Sequence, residues 1–389
     1  MDLSFIINEL GEDREQYFNA IAPPIVQSSN FAFGTVSAMR ERLLDEFQGF
    51  LYSRGNNPTI DILRQKLAAL DGAEDALVFS SGAAAIFAAV FSQVQQGDHV
   101  ICVKEPYSWA RQLLENLLPR FGVETTFVDG TDSANFEKAM QPNTSVIYLE
   151  SPNSLTFSLQ DISAVAALAR SRNITSIIDN SYCTPLYQQP HVMGIDLVLQ
   201  SATKFISGHS DTVAGVLTGT REKIRKIFTS EFLTIGSGIA PFNAWLLLRG
   251  LRTLEIRLQR SAESTRQVVA FLKAHALVEK VYFPLDPDFP QYELALRQMK
   301  GAAGLVTIQL KATRREQVEI FCDALRHFLM AVSWGGHESL AFPACAALAE
   351  GDFDPQEEKH RMVRLYIGLE DADYLIKDLE QALGKMGDA

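Results

Sequence analysis

Lys204 in the run Gln200-Ser-Ala-Thr-Lys204-Phe-Ile-Ser-Gly-His-Ser-Asp211, and Asp179 at the end of Thr175-Ser-Ile-Ile-Asp179, are the residues whose types and spacing best support chemistry. Each ends or closely follows a short apolar run. Two parallel strands carrying them would present an amine and a carboxylate at their carboxyl ends, where open α/β sheets bind ligands. Pyridoxal 5'-phosphate needs that pair: its aldehyde takes up a lysine as a Schiff base, and its ring nitrogen needs an anion to stay protonated as an electron sink. Alone, a lysine after a strand is usually a solvated strand end, and a strand-ending Asp is often a turn residue. The pair, set in Ser-x-Thr-Lys and Asp-Asn-Ser-Tyr-x-Thr-Pro, carries the signal.

A phosphate needs backbone N–H groups at a helix start, and Ser80-Ser-Gly-Ala-Ala-Ala-Ile86 follows an apolar run and opens a small-residue helix. Gly82 there allows close approach of the backbone to a ligand. His209 and Asp211 are two nearby metal-ligand types without a third, so a structural role is expected and no metal site is assigned.

Elements able to position these groups are legible in the pattern. Runs at 76–79, 99–103, 125–128, 145–149, 176–178 and 196–199 read as strands. Helical periodicity separates them, as in 60–70 and 162–170. The alternation predicts an α/β fold with a mostly parallel sheet and helices on both faces. After Gly238 the spacing predicts a long helical stretch over 241–276, a strand at 304–310, a helix over 315–328, a strand at 363–367 and a last helix over 372–383. The expected division is a loop-like arm at 1–57, a cofactor-binding domain at 58–240 and a smaller α/β domain at 241–389.

The segment from Ser201 to Asp211 resembles the cofactor-lysine segment of the Cys/Met-metabolism family of pyridoxal-phosphate enzymes. So do Ala22-Pro-Pro-Ile25, Tyr52-Ser-Arg-Gly-Asn-Asn-Pro-Thr59, Ser80-Ser-Gly-Ala-Ala84 and Arg364-Leu-Tyr-Ile-Gly-Leu-Glu-Asp371, in the family's order. The resemblance implies a fold-type-I enzyme in which Lys204 holds the cofactor and shuttles protons, and Asp179 faces the ring nitrogen. It further implies that the N–H groups of Gly82 and Ala83 and the hydroxyls of Ser201 and Thr203 hold the phosphate. Tyr107 matches the tyrosine that stacks on the ring and relays a proton. Arg364 matches the arginine that binds the substrate's α-carboxylate, with Ser333 and Trp334 beside it. Tyr52 and Arg54 match residues that reach a neighbouring subunit's phosphate site, which implies a homo-oligomer, a dimer of dimers, with shared sites.

Departures from the family pattern bear on specificity. Tyr107-Ser-Trp109 replaces the usual Tyr-Gly-Gly or Tyr-Gly-Cys, and Trp109 stands where methionine γ-lyases carry Cys, which tells against that activity. Ser154 stands where the asparagine that binds a cofactor oxygen is expected, and Asn153 comes one position early. Ser333-Trp-Gly-Gly-His-Glu-Ser-Leu340 and Glu150-Ser-Pro-Asn-Ser154 resemble cystathionine β-lyases, whereas Pro343-Ala-Cys345 is similar to the γ-branch. A carbon–sulfur lyase of the cystathionine β-lyase type is therefore expected. Cystathionine γ-synthase or homoserine-ester sulfhydrylase chemistry, and a non-catalytic cofactor-binding scaffold, are the alternatives.

Composition fits. Of 389 residues, 47 % are hydrophobic and 21 % charged, as in soluble enzymes, and a formal net charge of −12 tells against nucleic acid or anionic membrane as a partner. Four cysteines without a C-x-x-C pair suggest neither a disulfide framework nor a thiolate metal site, and a reducing cytoplasm is the expected compartment. The first residues are acidic where a signal peptide would be basic, and no apolar run reaches the ~20 residues of a membrane span. No Gly-x-Gly-x-x-Gly follows an early strand, which disfavours a nicotinamide enzyme.

Overall fold

Alternating buried strands and amphipathic helices build two α/β units in a computed structural model, which describes residues 1–387. The first unit comprises Met1–Asn153, Ser158–Ser207 and Asp211–Arg252. The second comprises Ser154–Phe157, Gly208–Ser210 and Thr253–Ala389.

Among the described residues, the first unit is built on seven strands: β1 Asp75–Phe79, β2 His99–Val103, β3 Glu124–Val128, β4 Thr144–Glu150, β5 Thr175–Asp179, β6 Leu197–Gln200 and β7 Gly215–Gly219. Their order is β1-β7-β6-β5-β4-β2-β3. Pairings from β3 through β6 are parallel, while β7 runs antiparallel to both β6 and β1. Strands β1, β2, β4 and β6 carry near-continuous apolar runs and β5 contributes Ile177 and Ile178, as strands covered on both faces must. Their side chains join a core that includes Phe79, Ile101, Tyr148, Ile178 and Leu199.

The second unit carries β8 Val278–Tyr282, β9 Leu305–Leu310, β10 Leu329–Met330, β11 Leu340–Pro343 and β12 Met362–Tyr366, in the order β10-β11-β12-β9-β8. Helices Leu254–Ala274, Arg315–Ala324 and Ala372–Gly387 pack with it.

The structure differs from the sequence pattern in several places, among them strands β8, β10 and β11, which the pattern did not signal. The stretch expected as one long helix is two, Pro241–Leu251 and Leu254–Ala274, with Arg252 and Thr253 between them. The helix expected to reach Phe328 stops at Ala324, because the N–H groups of Arg326 and His327 donate to the Asp378 carboxylate at 2.8–3.0 Å. The first 57 residues are not all loop: Asp2 caps a helix at Leu3–Asn8 and Thr35 caps another at Val36–Leu44. Strand β7, which the pattern did not signal, makes the sheet mixed.

A buried charge cluster fastens the first residues to this unit. The fully buried Glu12 carboxylate meets Lys66 at 3.1 Å, Arg252 at 3.0 Å and Arg14 at 3.2 Å. Lys66 also donates to the carbonyls of Ile6 and Ile7, which satisfies its remaining protons.

Candidate active site

Strand register sets the site. Glu150 lies opposite Asp179 and Asp179 opposite Leu199, so the turns after β4, β5 and β6 leave from one sheet edge. Strand β7 starts at that same edge, with Gly215 opposite Phe79 and Val216 opposite Gln200. The chain that departs β6 through Lys204 therefore returns where it left. Thr203 and Ala214 close the mouth of this excursion: the Thr203 N–H donates to the Ala214 carbonyl at 3.2 Å, and the Ala214 N–H donates to the Thr203 hydroxyl at 3.0 Å.

Asp179 is 6 % exposed. Its Oδ1 accepts the Ser181 N–H at 2.9 Å and the Ser181 hydroxyl at 2.5 Å, an Asx-type turn. The same hydroxyl accepts the Ser201 N–H at 2.7 Å, so one side chain ties the ends of β5 and β6 together. Burial pushes the Asp179 carboxyl up from its ordinary value, while the two Ser181 bonds and the nearby Lys204 charge pull it down. Lys204 itself is half-buried.

Tyr107 follows β2 and immediately precedes the short helix Ser108–Gln112, without a side-chain bond to its first turn. Its N–H donates to Glu150 Oε2 at 2.5 Å. Burial first, then the charges of Asp179 and Glu150, raise the phenol's pKa, so at neutral pH it holds its proton. Neighbouring Trp109 is exposed.

Ser81 caps the helix Gly82–Phe91 by accepting the Ala84 N–H at 3.1 Å, which leaves the first-turn N–H groups of Gly82 and Ala83 directed out of the helix end. A Cβ on Gly82 would stand 3.1 Å from both Cβ and Oγ of Ser201. Glycine thus keeps open a niche bounded by a helix start and a hydroxyl, and this fits a phosphate. The Thr203 hydroxyl donates to the Ala214 carbonyl at 3.2 Å, and it can turn that proton to a phosphate oxygen while still accepting the Ala214 N–H. Gly215 lets β7 approach the helix start, since a Cβ there would collide with the Ser81 carbonyl.

Arg54 lies with its guanidinium carbon 5.4 Å from the Tyr52 ring centre. Its charge acts on Glu46, whose carboxyl is raised by burial and lowered by that charge. Arg54 also packs at Gly236 and Gly238, and the 237–238 stretch pairs with the end of β1, with the Ser80 N–H donating to the Ser237 carbonyl at 2.7 Å.

In the second unit Arg364 sits on β12 between β11 and β9, opposite Phe342 and Thr307. The guanidinium donates to the carbonyls of Ser154 at 3.1 Å and Ser333 at 3.4 Å, and lies 5.2 Å from the Phe342 ring centre. Ser333 adopts φ 79°, a left-handed conformation, and the next residue, Trp334, is buried. Asn153 donates through its amide to the Ser158 hydroxyl at 2.6 Å.

The first unit brings together Gly82, Tyr107, Asp179, Ser201, Thr203 and Lys204, and the second brings together Arg364, Ser333 and Trp334. Sequence reasoning gave no role to Ser181 or Glu150. A hydroxyl two residues after a strand-ending Asp is a turn signal that could have found Ser181. Glu150, a charged residue closing a buried strand, was visible without a stated partner. Among the described residues, no group of three or more His, Cys, Asp or Glu could hold a metal, and no helix is long and apolar enough to cross a membrane.

An amine and a shielded carboxylate at adjoining strand ends, beside a helix start kept open by glycine, fit the needs of pyridoxal phosphate. The chain belongs to the Cys/Met metabolism PLP-dependent enzyme family, whose model matches residues 5–384. It is 38 % identical over 377 residues to an L-methionine gamma-lyase of Treponema denticola, covering 95 % of this chain and 94 % of the relative. It is 36 % identical to the cystathionine beta-lyase MetC of Bacillus subtilis over 94 % of this chain and 92 % of the relative. A cystathionine gamma-synthase of Mycobacterium bovis is 38 % identical over the same shares. Among solved structures, metB from Corynebacterium glutamicum superposes with a TM-score of 0.91 at 31 % identity, covering 99 % of this chain and 98 % of that one. A Campylobacter jejuni structure assigned as an O-acetylhomoserine (thiol)-lyase, carrying N'-pyridoxyl-lysine-5'-monophosphate, gives 0.92 at 27 % identity, covering 99 % of this chain and 100 % of that one. This chain is thus a pyridoxal-phosphate-dependent enzyme acting on an amino acid, of fold type I.

Proposed function

We propose that the protein is a carbon–sulfur lyase of the cystathionine β-lyase type. The observation that carries this reading is the setting of Arg364. Its guanidinium is held by the carbonyls of Ser154 and Ser333, which belong to the two segments that resemble cystathionine β-lyases. A planar guanidinium so oriented can take a carboxylate through two parallel bonds, which fixes the Cα–H bond of an amino acid.

When bound, pyridoxal phosphate supplies a carbonyl carbon that takes up the substrate amine and a ring that accepts electrons. Gly82, Ala83, Ser201 and Thr203 would hold its phosphate. Asp179 would pair with the ring nitrogen as an anion, a form favoured by Ser181 and Lys204 against the effect of burial. The Lys204 amine removes the proton from Cα. Tyr107, kept protonated by its surroundings, donates to the departing sulfur. With cystathionine and water the balanced products are homocysteine, pyruvate and ammonia.

A second reading is γ-replacement, favoured by Pro343-Ala-Cys345 and by the relatives named for synthase and thiol-lyase activities. It requires Lys204 to remove a second proton, from Cβ. The deciding experiment incubates holoenzyme with cystathionine, methionine, homocysteine and acylated homoserines, then identifies products by mass spectrometry. Pyruvate from cystathionine is the expected result. A thioether built from an acylated homoserine, without pyruvate, would replace this reading with the second, and 2-oxobutyrate from methionine would replace it with γ-elimination. A cofactor-loaded protein that turns over none of them would be a scaffold.

A further inference from the structure

Among the buried carboxyls that the mechanism above leaves unused, Asp71 forms no ion pair among the described residues and adjoins the strand that leads to Lys204. Asp71 ends the helix Pro58–Asp71 and is fully buried. Its oxygens accept from the Gln200 amide nitrogen at 3.0 and 2.9 Å, and Oδ2 lies 2.9 Å from the Thr218 hydroxyl. On the other side of that hydroxyl, at 2.9 Å, is Nε2 of His191, whose Nδ1 lies 3.0 Å from the Ile195 carbonyl oxygen.

Counting protons along this row decides its state. The Ile195 oxygen can only accept, so His191 Nδ1 carries a hydrogen, and in a neutral ring Nε2 is then an acceptor. The Thr218 hydroxyl owns one proton, and the Val198 carbonyl oxygen, at 3.2 Å, is a longer third acceptor beside the two at 2.9 Å. That proton cannot serve both His191 Nε2 and an ionised Asp71. Both contacts are hydrogen bonds only if the row holds one further proton, either on the carboxyl or on the imidazole.

Placing it on the imidazole would leave two buried ions separated by a hydroxyl, at a large desolvation cost. The carboxyl also sits at a helix C-terminus, where the macrodipole opposes a negative charge. Burial raises the Asp71 carboxyl to about 7 and lowers the His191 imidazole, which places the proton on Asp71 as well. Gln200 of β6 and Thr218 of β7 face Asp71, and Asp196, just before β6, is the charge that acts on His191 in the opposite sense.

Gln200 is the last residue of β6, and Ser201 after it is the residue whose N–H the Ser181 hydroxyl holds. We propose that Asp71 is a positioning residue for Lys204: as a protonated carboxyl bridged by Thr218 to a neutral His191, it fixes Gln200 and the strand end from which the Lys204 turn departs. The proposal rests on Lys204 being the cofactor lysine.

The test uses holoenzyme and three variants. Thr218→Val keeps side-chain shape and removes the bridge, Thr218→Ser restores the hydroxyl, and Asp71→Asn keeps one donor and one acceptor. Histidine is 15N-labelled, and the His191 signals are assigned with His191→Gln. Wild-type His191 should stay a neutral imidazole protonated at Nδ1 from about pH 6 to about pH 8, the span in which a free imidazole titrates, with its Nε2 signal shifting only as Asp71 gives up the shared proton near pH 7.

Thr218→Val should slow reconstitution of the borohydride-fixable cofactor by ~10-fold or more, within the 10²-fold that an ångström of misplacement costs. Thr218→Ser and Asp71→Asn should recover it. A His191 that titrates in that span, or is protonated at Nε2, overturns the shared proton. Wild-type reconstitution by a folded Thr218→Val overturns the positioning role. If Thr218→Val fails to fold, the ring signals and the recovery by Asp71→Asn still decide. Borohydride label found off Lys204 would instead mark a failure of the underlying assignment.

Discussion

Asp179 receives the N–H and the hydroxyl of Ser181 on the same oxygen, Oδ1. Both bonds stabilise the charged carboxylate, and both are local, formed within one turn at the end of β5. The Asp179 carboxyl is therefore biased toward ionisation by its own strand end, while the surrounding core opposes it. Because the Ser181 hydroxyl also holds the Ser201 N–H, that bias is tied mechanically to the segment bearing Lys204.

Lys204→Ala should yield a folded protein that no longer carries borohydride-fixable cofactor. Peptide mapping of the reduced wild type should find the pyridoxyl group on Lys204. Its appearance on another lysine would end the assignment.

Arg364→Ala should leave cofactor absorbance unchanged and weaken catalysis. Removing one partner of a desolvated charge pair costs roughly 2–5 kcal/mol, so kcat/KM for the amino-acid substrate should fall ~30-fold or more. An unchanged kcat/KM would take Arg364 out of the carboxylate site.

Tyr52 and Arg54 lead to an assembly test. If the arm completes a neighbour's site, Arg54→Ala co-expressed with Lys204→Ala should regain activity, since some hybrid sites combine an intact arm with an intact lysine. Hybrids confirmed by mass yet inactive would assign Arg54 to its own chain's site.

Asp71 gives a pH-dependent stability difference. Its folded pKa, about 7, lies above the ~4 of an unfolded Asp, so between those values the folded state binds the extra proton. The stability it contributes is full below about pH 4 and is lost as pH rises through about 7. Thermal midpoints of wild type minus Asp71→Asn should fall across that window and level off above it. A difference constant with pH would mean that Asp71 is ionised throughout.

The pairing of Lys204 and Asp179 was legible because each closes an apolar run, and a parallel sheet brings such ends to one edge. Strand β7 was not, since Gly215-Val-Leu-Thr-Gly219 is short and bounded by glycines, with only Val216 and Thr218 of strand-forming type. The break at Arg252–Thr253 escaped notice because apolar spacing continues across it. The early end of Arg315–Ala324 depends on Asp378, a partner distant in the chain that no local pattern can announce. The row from Asp71 through Thr218 to His191 is of the same kind: a helix end, a strand and a loop that meet only on folding.

The closed mouth at Thr203 and Ala214 has a consequence for how the amine travels. If Lys204 is the base, a turn anchored at both feet cannot carry it toward one substrate carbon and then the next by sliding its backbone. The reach of the nitrogen is then the sweep of four methylenes about a fixed Cα. Reaction at two adjacent carbons becomes a matter of rotamers, and the repertoire of such an enzyme is bounded by the arc of a single side chain.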